Sequence, residues 1–290
     1  MKAKQLLLIA EDQLKTAGTE NTRFEARQLL SHITHTEPLL LTVENREIAP
    51  NEEAAFFALL ERRVKREPLQ YILGIQYFMG LPFEVGPEVL IPRFDTESMC
   101  EDAVRLLPKG ARVLDLCTGS GALAVAVKHL RPDTAVFASD LSEKALSKAR
   151  KNAEKNGVSV TFLQGDLFAP LLGMRFGAIL TNPPYIPDGD IPGLSEEVRK
   201  EPLMALVGGP DGLDFYRRIL SEAPNYLCEN GLIWLEAGDG EADRIREMML
   251  PAFDKTVLGQ DLSGHDRWLR GQKRAMGSAE RKAGNSTKEP

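Results

Sequence analysis

Gly177-Ala178-Ile179-Leu180-Thr181-Asn182-Pro183-Pro184-Tyr185 changes character at its middle. Gly177 to Leu180 is an apolar run of the kind that buried strands use. Pro183 and Pro184 then follow in succession, and neither has an N–H to donate to a sheet. The spacing therefore predicts a strand whose carboxyl end lies at Asn182. In open α/β sheets that edge is where ligands sit. Asn182 carries an amide with both donor and acceptor atoms. The carbonyls of Asn182 and Pro183 need not be claimed by a helix or ladder. Tyr185 adds a flat ring with a polar tip. Such a corner can accept both hydrogens of a planar –NH2 while a ring packs on its face. A stiff turn is the plainer reading of the same residues, so the surrounding chain has to decide.

Upstream, from Ala111, the rhythm is strand–turn–helix. Val113–Leu116 reads as a strand, Cys117-Thr118-Gly119-Ser120-Gly121 as a turn, and Ala122–Leu130 as a helix. A strand at Ala135–Ser139 ends at Asp140, a helix spans Ser142–Asn156, and a strand at Val160–Leu163 ends near Asp166. Beyond the proline corner come a helix at Leu213–Cys228, a strand at Gly231–Glu236, a helix at Glu241–Leu250, and closing strands at Lys255–Leu258 and Arg267–Leu269. This alternation predicts an α/β fold with a mostly parallel, Rossmann-like sheet of seven strands, covered on both faces.

Residues 1–72 have a different pattern. Leu6, Leu7, Ile9, Ala10 and Leu14 recur at helical spacing, and so do Phe24, Ala26, Leu29 and Leu30. A short helix is expected at Pro38–Leu41. A longer one is expected to be capped by Asn51, with Glu52 and Glu53 in its first turn and Arg62, Arg63, Lys65 and Arg66 in its last. A solvated helix end is the plain reading of that basic run. Residues 73–88 read as a β-hairpin linker around Gly80, 89–271 as the sheet domain, and 272–290 as a polar, disordered tail. Asp95 or Thr96 is expected to cap the helix that runs to Leu107.

Composition narrows the class. The chain has 290 residues, 43% of them hydrophobic, and a formal charge of −6. That balance argues against a bulk nucleic-acid binder. Three separated cysteines, Cys100, Cys117 and Cys228, form neither a disulfide framework nor a zinc spacing. No apolar stretch reaches membrane-spanning length. The expectation is a cytoplasmic monomer with no metal, no direct nucleic-acid partner and no membrane partner.

The chemistry-bearing positions cluster at predicted strand ends. The glycine turn lets backbone approach a ligand closely. Asp140, about twenty residues on, can accept ribose hydroxyls, or else cap the next helix. Asp166 can face an adenine amino group and Phe168 its ring, or else cap and pack. Several acids and no basic residue in these turns suit an adenosine ligand without phosphate, such as the sulfonium cation S-adenosylmethionine.

Asp115–Gly121, Asp140 and Asn182–Tyr185 together resemble the class I S-adenosylmethionine-dependent methyltransferases. Arg66–Gly74, Leu90–Arg93, Asp95–Glu97, Gly208–Leu213 and Asp261–Arg267 are more specific, and they resemble the HemK/PrmC family. Cys117 and Phe94 stand where that family usually has glycine and proline. The resemblance implies methylation of the glutamine of the Gly-Gly-Gln motif in class I peptide chain release factors, at its side-chain nitrogen N5. It implies cofactor contacts from Cys117, Thr118, Gly119, Ser120, Gly121, Asp140, Asp166, Phe168 and Asn182. Substrate contacts would come from Asn182, Pro183, Pro184 and Tyr185, with Asn182, Pro183 and Tyr185 catalytic. His265 lies in a family motif and reads as structural.

Overall fold

The computed structural model describes residues 1–261 and 263–275. The expected tail beyond residue 275, and Leu262, lie outside the described residues.

The chain begins with five helices: α1 (Ala3–Thr16), α2 (Thr22–Thr34), α3 (Pro38–Glu44), α4 (Pro50–Val64) and α5 (Leu69–Leu73). Their apolar faces meet in one core, built on Leu6, Leu14, Leu29, Leu30, Phe56 and Leu60. Asn51 is not the cap of α4. Pro50 takes the first helical position, where its missing N–H costs nothing, and Ala49 precedes it. Glu52 reaches back to accept the Ala49 N–H at 3.1 Å. The one-turn helix α5 has no sequence periodicity long enough to announce it.

The basic run at the end of α4 is only partly solvated. Arg62 and Lys65 are surface groups paired with Glu67 and Glu61. The Arg63 side chain is 5% exposed and sits 2.8 Å from both Glu25 and Glu197. Arg66 donates to the Ala17 carbonyl at 3.0 Å and to Glu197 at 2.7 Å. Glu197 belongs to the distant connection that follows the proline corner. Two arginines expected in water therefore bind the helical bundle to that connection.

The strands β1 (Ile75–Phe78) and β2 (Leu81–Glu84) form the expected hairpin. Met79 and Gly80 both have positive φ, which matches the twist of a tight two-residue loop. Phe78 and Phe83 pack edge to face at 6.2 Å. The next elements are α6 (Asp95–Leu106), β3 (Arg112–Leu116), α7 (Ala122–Leu130), β4 (Ala135–Asp140), α8 (Glu143–Lys155), β5 (Thr161–Gln164) and β6 (Phe176–Thr181). Neither Asp95 nor Thr96 caps α6. Both lie inside its first turn, and Phe94 precedes them without a side-chain cap. The chain ends with α9 (Asp214–Tyr226), β7 (Leu227–Glu236), α10 (Ala242–Met249), β8 (Phe253–Gln260) and β9 (Asp266–Lys273). The two closing strands are longer than expected, and β9 extends past residue 272.

The seven strands lie in the order β5-β4-β3-β6-β7-β9-β8. β5, β4, β3, β6 and β7 are parallel, and β9 runs antiparallel to both β7 and β8. Side chains alternate between two cores. Leu114, Ile179 and Ile233 face α9 and α10, whereas Val113, Ala178 and Trp234 face α6, α7 and the hairpin. The order reverses between β3 and β6, the point where such sheets open a crevice. Leu116 is in register with Thr181, so the turn after β3 and the corner after β6 emerge side by side. Thr181 Oγ1 fixes that register by donating to the Leu116 carbonyl at 2.9 Å.

Arg63 neutralises two carboxylates while almost fully buried, and removing it leaves Glu25 without its arginine and Glu197 with Arg66 alone. Arg63→Ala should cost about 3 kcal/mol of stability, and Arg62→Ala under about 1 kcal/mol. Urea unfolding of both variants checks this ordering.

Candidate active site

The crevice between the ends of β3, β4 and β6 holds a cavity of about 200 Å³, which continues into a smaller one of about 60 Å³. Cys117, Gly119, Leu90 and Asn182 line both. The larger cavity has a mainly apolar wall. Leu141, Ala145, Leu167, Pro184, Met204 and Phe215 contribute to its wall. The smaller one is bordered by Asp115, Thr118, Ser120, Thr96 and Arg93.

The turn after β3 is built for close approach. Cys117, Gly119 and Gly121 all have positive φ, at 58°, 55° and 82°. Gly121 is required by packing as well, because a Cβ there would lie 3.0 Å from the Ala149 Cβ on α8. Cys117 occupies left-handed backbone without being glycine, an arrangement that costs roughly 1–2 kcal/mol. Its thiol packs against the core, and burial pushes its pKa well up, so it stays protonated and inert. Asn152 of α8 is fully buried and ties three pieces together. It donates to the carbonyls of Ser120 and Glu84 and accepts the Glu84 N–H.

Asp140 sits where the sequence places it, at the end of β4. One oxygen accepts the Gly119 N–H and the other the Ser142 N–H, both at 2.9 Å. Ser142, not Asp140, caps α8 by accepting from the Ala145 N–H. A carboxylate has about four acceptor sites, so Asp140 still has capacity toward the cavity that it lines. Asp166 also lines that cavity but is paired at 2.6 Å with Arg218 of α9. A basic side chain from a later helix therefore reaches the turns that looked purely acidic.

Phe168 departs from its expected place. It is fully buried, stacked on Tyr226 with centroids 4.5 Å apart, and does not line the cavity. Leu167, in left-handed backbone at φ 46°, faces the cavity instead. One residue of left-handed backbone exchanges which neighbour points outward.

Asp115 is the residue that the sequence reading of the site omitted. It is 2% exposed in the middle of an apolar strand. Its Oδ2 accepts from Thr118 Oγ1 at 2.5 Å and from the Ala124 N–H at 3.1 Å, while Oδ1 has no partner among the described residues. Burial pushes its carboxyl up to about 7. An acid inside Val113-Leu114-Asp115-Leu116 is itself the available signal, since buried acids are rare without partners.

At the end of β6, Asn182 lines both cavities and Pro184 the larger one. Asn182 Nδ2 donates to Thr96 Oγ1 at 3.4 Å. Pro183 is buried outside the cavity walls. Tyr185 lines neither cavity, and a Cβ on Gly238 would lie 3.0 Å from its ring. The backbone there is gripped by the Gly208–Gly212 segment. The Ile186 N–H donates to the Leu206 carbonyl at 2.9 Å, and the Ile186 carbonyl accepts from the Gly208 N–H at 2.8 Å. A Cβ on Gly208 would fall 2.7 Å from the Tyr185 Cα, and one on Gly212 would fall 2.4 Å from the Tyr185 carbonyl. His265 is exposed, and its backbone N–H donates to Asp261, which pairs with Arg267.

The donor set fits S-adenosylmethionine. An apolar slot suits a base, Asp140 suits ribose hydroxyls, and the orphaned Asp115 oxygen suits the cationic amino-acid end. A sheet of this order, with a glycine turn at one strand end and an asparagine–proline corner at the next, defines a class I S-adenosylmethionine-dependent methyltransferase fold. A family profile described as PrmC N-terminal domain matches residues 5–74, and one described as methyltransferase small domain matches residues 83–196. A release factor glutamine methyltransferase of Geobacter sulfurreducens is 45% identical over 262 residues, covering 89% of this chain and 92% of the relative. One of Moorella thermoacetica is 42% identical over 274 residues, covering 92% and 97%. The chain belongs to the release factor glutamine methyltransferase family. Among solved structures, a methyltransferase of Pyrococcus furiosus superposes with a TM-score of 0.52 at 21% identity, over 68% of this chain and 90% of that one, a likeness of fold.

A cationic ligand end beside Asp115 favours its ionised form. Below about pH 7 the free protein must lose a proton there to bind, and above it need not. The affinity advantage of wild type over Asp115→Asn for S-adenosylmethionine should therefore grow as pH rises through about 7, as read by calorimetry. Asp140→Ala should weaken the same affinity by about tenfold or more through the lost ribose contact.

Proposed function

We propose that the protein transfers a methyl group from S-adenosylmethionine to the side-chain nitrogen N5 of the glutamine in the Gly-Gly-Gln motif of class I peptide chain release factors. The observation that carries this reading is the Asn182 carboxamide, which lines both cavities and whose Nδ2 donates to Thr96 Oγ1. Its Oδ1 is thereby left as an acceptor on the outward side. The family's named activity supplies the substrate class.

When bound, S-adenosylmethionine supplies an electrophilic methyl on a sulfonium sulfur. The chain's own residues must solve the other half of the problem. A carboxamide nitrogen is a poor nucleophile because its lone pair is delocalised into the carbonyl. Asn182 Oδ1 and the Pro183 carbonyl accept its two N–H bonds and turn the remaining lone pair toward the cavity. Both acceptors are fixed beforehand, by the end of β6 and by the two prolines. They favour the positive charge that develops on nitrogen as it is alkylated. Tyr185 packs on the substrate side of the corner, against the amide plane. The proton leaves after transfer, so no general base has to be in place beforehand.

The helical domain, residues 1–72, is the proposed docking surface for the release factor. In support, Phe24, Leu39 and Val43 are large apolar side chains exposed on it at 58%, 70% and 69%.

Incubation with labelled S-adenosylmethionine should label a class I release factor at that glutamine, and neither DNA nor a ribosomal protein. Asn182→Ala should bind cofactor normally and lose transfer by about 10²–10³-fold. A parallel loss of cofactor affinity would remove its assigned role. Phe24→Ser with Leu39→Ser should raise KM several-fold for the intact release factor and leave KM unchanged for a short Gly-Gly-Gln peptide.

A further inference from the structure

Adenine presents a fixed pattern along one edge: ring nitrogen N7 accepts, the N6 amino group donates, and ring nitrogen N1 accepts. A site that holds the amino group and either neighbour therefore needs an acceptor beside a donor. The carboxylates that line the crevice supply only acceptors. A donor for the ring nitrogen has to come from another group.

We propose that Arg218, held in place by Asp166, is a specificity-determining residue for the cofactor's base and donates to the ring nitrogen beside the adenine amino group. This rests on the crevice being the S-adenosylmethionine site and is independent of which group receives the methyl.

Strand order places the parts of the ligand. β3, β4 and β5 are successive neighbours in the sheet, about 4.8 Å apart. Asp115 of β3 suits the amino-acid end and Asp140 at the end of β4 suits the ribose, so the base continues toward the turn after β5. Gly165, Asp166 and Leu167 of that turn line the larger cavity, and so do Phe215 and Arg218 of α9. Phe215 and Arg218 stand one helical turn apart and share a face of α9. Arg218 Cζ is 5.9 Å from the centre of the Phe215 ring, which puts a cationic donor beside an apolar surface.

Arg218 Nη2 donates to Asp166 Oδ2 at 2.6 Å, and neither side chain has another side-chain hydrogen bond among the described residues. Asp166 Oδ1 is left to accept from the N6 amino group, while Nε and Nη1 of the guanidinium have N–H groups to donate. The guanidinium is planar, so the arm that Asp166 holds restricts where the others point. As a tie between α9 and the turn after β5 the pair does little by itself. Its side chains are 46% and 51% exposed, and ion pairs that wet contribute under about 1 kcal/mol. A base laid between Leu167 and Phe215 excludes that water and strengthens both contacts.

The test is calorimetry of the full-length protein with S-adenosylhomocysteine and with its 1-deaza and 7-deaza analogues. Each analogue has a C–H in place of one ring nitrogen and keeps the amino group. Wild type should bind at least one of the two about five- to tenfold more weakly than S-adenosylhomocysteine. Arg218→Ala should bind S-adenosylhomocysteine itself about five- to tenfold more weakly than wild type does. It should then lose no more than about twofold on the sensitive analogue, because the bond that the analogue deletes is already gone. A packing defect in the variant would instead weaken all three ligands by one factor and leave the drop between them in place. Wild type binding all three ligands alike, or a drop in Arg218→Ala as large as that in wild type, would each overturn the proposal. The parent ligand keeps the two readings apart. If S-adenosylhomocysteine does not bind wild type, the assignment of the crevice to the cofactor fails. If it binds and the drop survives in Arg218→Ala, only the role of Arg218 fails.

Discussion

Two successive residues without N–H groups cannot be taken into a sheet, and the molecule is built around that prohibition. β6 pairs with strands on both sides up to Thr181 and then has to leave the sheet. It leaves at the place where strand order reverses, so its exit and that of β3 open one crevice. The backbone beyond the corner still needs partners, because buried peptide groups left unpaired are costly. The glycine-rich segment from Gly208 to Gly212 supplies them by lying closer to Tyr185 than any side chain would allow. The chemistry that the corner can perform follows from this packing: its acceptors are rigid because the chain has no other way through.

The site is also a collection of buried carboxylates. Asp115, Asp140 and Glu236 all have raised pKa values for the same first reason, loss of water. Each has a different compensation. Asp140 holds two backbone N–H groups, Asp115 holds a hydroxyl and one N–H and leaves an oxygen over, and Glu236 has the charges of Arg93 and Arg267 in its favour with one oxygen left without a partner among the described residues. A protein that only needed stability would replace such groups with apolar ones. Their retention at one crevice is what a cationic cofactor and a polarised amide require.

Much of this was legible in the amino-acid order. Periodicity places β3, β4, β6 and the helices between them, because each strand is short, apolar and closed by a turn residue. The glycine turn, Asp140 and Asn182 come together as expected, since all three lie at carboxyl ends of parallel strands. What could not be read depends on contacts between distant residues or on single dihedral angles. Arg63 looked solvated because Glu197, its partner, lies far along the chain. Phe168 and Leu167 exchange places through one positive φ. The contact between Asn182 and Thr96 joins the end of β6 to α6, and no local pattern announces it. The 3₁₀ turns between Asp188 and Ala205 are too short to carry a period.

The connection that contains those 3₁₀ turns starts at the proline corner and is held at Glu197 by Arg63 and Arg66 of the helical bundle. The bundle thus grips the middle of a strap whose two ends meet at the corner. Cutting away the bundle would remove an anchorage of the corner together with any surface for the partner. A shortened enzyme that fails to turn over would therefore leave recognition and rigidity confounded. Exchanges of single exposed side chains on the bundle, which leave the anchorage whole, keep the two apart.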